Sequence, residues 1–151
     1  MCTLKCPGIC TPSLKKNSCE LKAGLPNEQL SAIAKREEFA LENKTWEKSL
    51  NLFKDINNSL KNKLSIAVDA KDEKAFLVLA EYFQNQFVLK DEFIADLKKD
   101  LNEQEKKIKE IYIQGNLSTK ILKRQDKLRN EMSSFEKNFT SLQNEFNKSI
   151  T

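Results

Sequence analysis

Apolar residues recur along this chain at steps of four and three. One run reads Phe39, Asn43, Trp46, Leu50, Phe53, Asn57, Leu60, Leu64, Ala67 without a break in that rhythm. Residues three and four apart share one face of an α-helix, so the run is a heptad seam and predicts a first long amphipathic helix over about 26–68. Pro26 and Glu28 suit its first turn, where a missing N–H is harmless and a carboxylate meets the positive end of the helix dipole. Upstream of the seam, Leu30, Ile33 and Ala34 keep an apolar face in a looser rhythm.

The spacing resets between Val68 and Asp72. Asp72 is placed to cap a second helix through its carboxylate, with Glu73 in the first turn. The second seam is Phe76, Ala80, Phe83, Phe87, Lys90, Ile94, Leu97, Leu101, Gln104, Ile108, Ile111, and it predicts a helix over about 72–114. Gly115 and Asn116 supply the left-handed stop, and Ser118 is placed to cap a third helix over about 118–148. Its seam, Ile121, Gln125, Leu128, Met132, Phe135, Phe139, Leu142, Phe146, is the most regular of the three.

Connections of a few residues force neighbouring helices to run antiparallel. The fold expected is therefore all-α: an elongated antiparallel three-helix coiled-coil bundle over residues 25–151, a rod about 45 to 60 Å long at 1.5 Å per residue. Residues 1–24 carry no helical apolar stripe and are expected to form a flexible N-terminal tail.

Five seam positions are polar: Asn43, Asn57, Lys90, Gln104 and Gln125. A buried polar group is costly unless hydrogen-bonded, but a single buried Asn can select register and partner number, which is the role expected of Asn57. Lys90 and Gln104 are expected at the seam edge, where a long side chain reaches water.

Composition supports helices over strands. With 3 Gly, 3 Pro and 32% charged residues in 151, turn formers are few and solvated faces many. The formal charge of +4 is concentrated at one end, since residues 1–25 hold four lysines (Lys5, Lys15, Lys16, Lys22) against Glu20. The remainder is almost neutral, so net charge alone names no nucleic acid or anionic membrane as a partner.

Four cysteines, Cys2, Cys6, Cys10 and Cys19, fall in the first 24 residues. Four thiolates in principle hold Zn²⁺ or an iron–sulfur cluster, but structural zinc sites use close pairs across a longer loop, and no histidine exists to complete one. Disulfides within the tail are a second reading, and free thiols are the one favoured. No cofactor is expected.

A basic cluster closes the second helix (Lys106, Lys107, Lys109) and opens the third (Lys120, Lys123, Arg124, Lys127, then Arg129). Antiparallel packing brings the two stretches to one end. Lys120, Lys123, Arg124 and Lys127 share a helical face that could meet phosphates or an acidic partner, while Glu103, Glu105, Glu110 and Asp126 among them favour an ordinary solvated face with pairs such as Glu103 and Lys107. Asn-x-Ser/Thr sequons at Asn43, Asn57, Asn116, Asn138 and Asn147 read as products of an Asn-rich composition, and a glycan on Asn57 would break the bundle.

Catalysis lacks its usual equipment. Without histidine the commonest general base and the Ser-His and Cys-His pairs are missing, and 3 scattered glycines build no phosphate loop. The function expected is a non-enzymatic scaffold or protein–protein interaction module, with a protein partner or a second copy of the chain covering whatever the Phe-rich stripes leave open. The alternative is a nucleic-acid or anionic-surface binder using the basic end at 106–129, assisted by Tyr112. No apolar run approaches the length of a membrane span and no secretory core is seen, so the compartment expected is cytoplasmic, with an exported or surface lipoprotein as the alternative.

Overall fold

The structure, a computed structural model, describes residues 27–114 and 118–150, with side chains from 33 to 110 and from 118 to 150. Cys2, Cys6, Cys10 and Cys19, the Gly115–Asn116 stop and the side chains of Leu30, Ile111 and Tyr112 lie outside the described residues. Three helices follow one another: α1 (Asn27–Ala70), α2 (Lys74–Gln114) and α3 (Thr119–Ile150). The described residues form an all-α three-helix bundle, with no strand among them. At 1.5 Å per residue the 44 residues of α1 extend about 66 Å, slightly beyond the expected rod.

The direction of each helix is visible in its partners. Asn57 of α1 meets Asp91 of α2, while Phe39, near the start of α1, clusters with Ile108 and Ile121. Tyr82 reaches Glu145, and Arg124 reaches Glu103, so α2 and α3 are also antiparallel. Glu42 and Phe53 of α1 meet Arg129 and Phe135 of α3, in the same order along both chains, so α1 and α3 run parallel.

The helix ends show how the turns are made. The Glu73 carbonyl accepts from the Leu77 amide at 3.0 Å, which makes Glu73 the residue that opens α2 and leaves Asp72 one position too early to cap it. Ser118 caps α3: its carbonyl accepts from the Ile121 and Leu122 amides, and its Oγ, 3.3 Å from the Ile121 N, shares the Ile121 donor, which has no carbonyl four residues back within the helix to bond.

Long helices hold in water chiefly by burying one face against a neighbour, and here all three seams do so. Phe83, Phe87, Phe139, Phe146, Leu50, Ile94, Leu128 and Met132 are fully buried. The rings interlock: Phe146 stands edge-on to Phe83 and Phe87 with centroids 5.2 Å apart in each pair, and Phe53 packs on Phe135 at 5.5 Å and Phe139 at 5.1 Å. Edge-to-face pairs of this kind add about 0.5–1.5 kcal/mol each beyond their burial. At the other end Phe39, Ile108 and Ile121 form a separate small core, and Ala34, expected on the apolar face, is exposed.

Candidate functional site

Between the two cores lies a polar layer made of one side chain from each helix: Asn43 of α1, Gln104 of α2 and Gln125 of α3. Gln125 Nε2 donates to Asn43 Oδ1 at 2.8 Å and to Glu42 Oε1 at 2.9 Å. Gln104 Nε2 donates to Gln125 Oε1 at 3.0 Å and to the Ile121 carbonyl at 3.1 Å. The expectation that Gln104 sits at the seam edge is therefore wrong. It is fully buried, because a facing amide and a carbonyl meet its donor and remove the cost that would push it outward. Asn43 Nδ2 and Gln104 Oε1 stay buried without a hydrogen-bond partner.

An ionic clasp closes the layer from outside. Arg129 grips Glu42 with two parallel bonds, Nε to Oε2 at 2.8 Å and Nη2 to Oε1 at 2.7 Å, and its Nη1 reaches Asp126 at 2.6 Å. Partial burial pushes the Glu42 carboxyl up, but the hydrogen bonds from Arg129 and Gln125 outweigh it and hold Glu42 below its ordinary value. The same bonds to Glu42 lead in raising the Arg129 guanidinium above its own ordinary value. These four residues, Glu42, Asn43, Gln125 and Arg129, tie α1 to α3.

A second polar contact ties α1 to α2. Asn57 is fully buried, and its Nδ2 donates to the Phe87 carbonyl at 2.9 Å and to Asp91 Oδ1 at 2.8 Å, while Lys61 pairs with Asp91 Oδ2. Burial raises the Asp91 carboxyl, and the bonds from Lys61 and Asn57 overcome it, so Asp91 also titrates below its ordinary value. Lys90, the remaining polar seam residue, is half-buried with its Nζ 5.9 Å from the centre of the Phe93 ring, and burial lowers its pKa.

The outside of the bundle is uneven. Along α2, Val78, Tyr82, Leu89 and Phe93 are 68%, 44%, 45% and 55% exposed and share one stripe on the face turned away from α1. Phe93 leans on Phe135 of α3 at 6.5 Å, and the Tyr82 hydroxyl lies 3.4 Å from Glu145 Oε1. Beside this bulky ridge, α3 offers a low wall of Ser134, Asn138 and Ser141. The trough between them, floored by Phe93, Leu97 and Phe135, has a volume of about 630 Å³ and is open along its length.

The basic cluster does not form a single surface. Lys106 lines the groove between α1 and α2, with Lys54, Lys98 and Lys99. Lys120, Lys123 and Lys127 line the groove between α2 and α3, facing Asp100. Lys107, seven residues past Asp100, is on the Asp100 side of α2, while Lys109, two residues further on, points about 200° away from it. Arg124 is held by Glu103 at 2.8 Å, so Glu103 pairs across helices with Arg124 and not with Lys107 on its own helix.

Asn43 and Asn57, two of the five sequon asparagines, are buried, while Asn138 and Asn147 are exposed. No helix among the described residues is long and apolar enough to cross a membrane. Among those residues no group of three or more acidic, Cys or His side chains is placed to hold a metal ion. The exposed ridge on α2 escaped the sequence reading because its residues lie off the heptad seam; the signal was the excess of Val, Leu and Tyr between seam positions.

Comparison with protein-family models, with curated proteins and with solved structures gives no match to this chain.

Proposed function

We propose that this chain is a non-enzymatic coiled-coil module that binds protein partners through the outward face of α2 and α3. The observation that carries the reading is the ridge of Val78, Tyr82, Leu89 and Phe93, exposed on a helix whose opposite face already fills the core. Apolar side chains grouped this way carry an unfavourable free energy in water that is relieved when another surface covers them. An open trough with one aromatic wall suits an elongated protein surface better than a small molecule, which a closed cleft would hold.

Three further observations support it. The 4, 3 rhythm of all three seams coincides with the buried side chains, the pattern of a coiled coil. The chain has no histidine, which weighs against proton-transfer chemistry. The burial of the Asn57 sequon is what a chain kept from glycosylation in the cytoplasm tolerates.

The test is crosslinking in the native cells with the wild-type chain and with Leu89→Glu/Phe93→Glu, circular dichroism confirming that the variant is helical. Crosslinked protein species that vanish with the variant support the module. Species retained equally by both chains overturn it.

A further inference from the structure

The polar layer between the two cores holds a chain of hydrogen bonds whose direction is set at one end by the backbone. Gln104 Nε2 lies 3.1 Å from the Ile121 carbonyl, which can only accept, so nitrogen is the atom that Gln104 presents on that side. The same nitrogen lies 3.0 Å from Gln125, which therefore presents its oxygen. That turns the Gln125 nitrogen toward Glu42 Oε1 at 2.9 Å and Asn43 at 2.8 Å, and Asn43 in turn presents its oxygen. Glu42 agrees with this sense, because its carboxylate is gripped by Arg129 and also only accepts. Turning any one of the three amides over would set donor against donor or acceptor against acceptor.

Two atoms of the layer are left over, and the sense of the chain fixes their character: Asn43 Nδ2 is a donor and Gln104 Oε1 an acceptor, both buried and unpartnered. Asn43 is 4% exposed and Gln104 fully buried, so bulk solvent supplies neither atom with a partner. The three amides, one from each helix, make a triangle in which Gln125 bonds both of the others and Asn43 and Gln104 do not bond each other. We propose that this third side is a binding site for a single water molecule, which accepts from Asn43 Nδ2 and donates to Gln104 Oε1. The polarity of the pair selects the ligand. A cation needs acceptors and an anion needs donors, whereas one donor with one acceptor takes a small neutral molecule that does both. Room comes from Asn43 itself: it is shorter than Phe39 and Trp46, the seam residues before and after it, whose rings pack in the cores on either side and set how closely α1 approaches the other helices. With the water in place the ring runs head to tail from Gln104 to Gln125 to Asn43 to water and back, each member giving one hydrogen bond and taking one, so each strengthens the next.

NMR on the isotope-labelled full chain tests the site. The Asn43 Nδ2 protons should show cross-relaxation with water, with NOE and ROE of opposite sign, which marks a water that tumbles with the protein; proton exchange gives the same sign in both. A crystal structure that shows ordered solvent should place one water within about 3.2 Å of both Asn43 Nδ2 and Gln104 Oε1. Asn43→Gln, one methylene longer, carries the amide nitrogen into the site, and the cross peak from the side-chain amide at position 43 should be lost while helical content is unchanged. If the longer side chain unfolds the bundle, the two wild-type measurements decide.

An Asn43 amide with no water cross peak overturns the proposal, and so does a structure in which Asn43 Nδ2 and Gln104 Oε1 bond each other directly. Water that reaches one of the two atoms and not the other overturns the bridge, as does a cross peak that persists undiminished in a folded Asn43→Gln variant. The site lies inside the bundle, so none of these outcomes bears on crosslinks made through Leu89 and Phe93, and the partner-binding reading stands or falls separately.

Discussion

Gln125 on α3 and Asn43 on α1 meet amide to amide at 2.8 Å in the interior of the bundle, 82 positions apart in the chain. The contact is the centre of a layer in which Gln125 also accepts from Gln104 and donates to Glu42. An interior of Phe and Leu would tolerate the helices sliding by a heptad; amides that must find one another do not.

Removing one member and removing all three are therefore expected to act in opposite directions. Gln125→Leu leaves Asn43 and Gln104 buried without their partner and should cost about 2–4 kcal/mol. The triple replacement Asn43→Leu/Gln104→Leu/Gln125→Leu leaves nothing unpaired, and should match or exceed wild-type stability while broadening the amide spectrum as alternative registers are populated. Urea unfolding and two-dimensional NMR read the two effects; a triple variant less stable than the single would refute the account.

Acid should weaken the bundle in a defined window. Glu42 and Asp91 both titrate below their ordinary values in the folded chain. In the unfolded chain they take up protons near pH 4, so the stability they contribute is fully present above that range and is lost as the pH falls through the folded values. Chemical unfolding measured between pH 6 and pH 2, with wild type and Glu42→Gln, should show a shallower acid loss for the variant. The exposed part of the Glu42–Arg129 pair limits its share to roughly 1 kcal/mol.

Lys90 is the one charged residue on a seam, half-buried over Phe93 and with its charged form disfavoured by burial. Lys90→Met keeps the stem and removes the charge. It should raise the melting temperature by about 3 °C, the equivalent of ~1 kcal/mol for a chain of this size. A lower melting temperature in differential scanning calorimetry would show that the ammonium contributes to folding.

Two phenylalanines on the same bundle should respond differently. Phe146 is fully buried between Phe83 and Phe87, and Phe146→Ala should cost about 3–5 kcal/mol through the cavity it leaves. Phe93 is 55% exposed, and Phe93→Ala should cost less than ~1 kcal/mol when unfolding is followed at high dilution. Comparable losses at both sites would mean that Phe93 is already covered in the folded protein under those conditions.

Sequence alone determined the three helices, their order and nearly every core position, because the period of the apolar pattern is a local property and burial requires that the patterned face be inward. Phe76 to Ile108 and Ile121 to Phe146 were legible on that ground, as was the Ser118 cap, whose hydroxyl acts on an amide three residues away. Tertiary structure decided what depends on how the helices are matched in height: Gln104 became a buried hydrogen-bonding partner once Gln125 stood opposite it. The basic cluster was split between two grooves once the rotation of α2 about its axis was set. The ridge at Phe93 acquired meaning only when Ser134 and Asn138 proved to lie beside it. Periodicity reports which side of a helix is inside; only packing three helices together specifies which residues share a level.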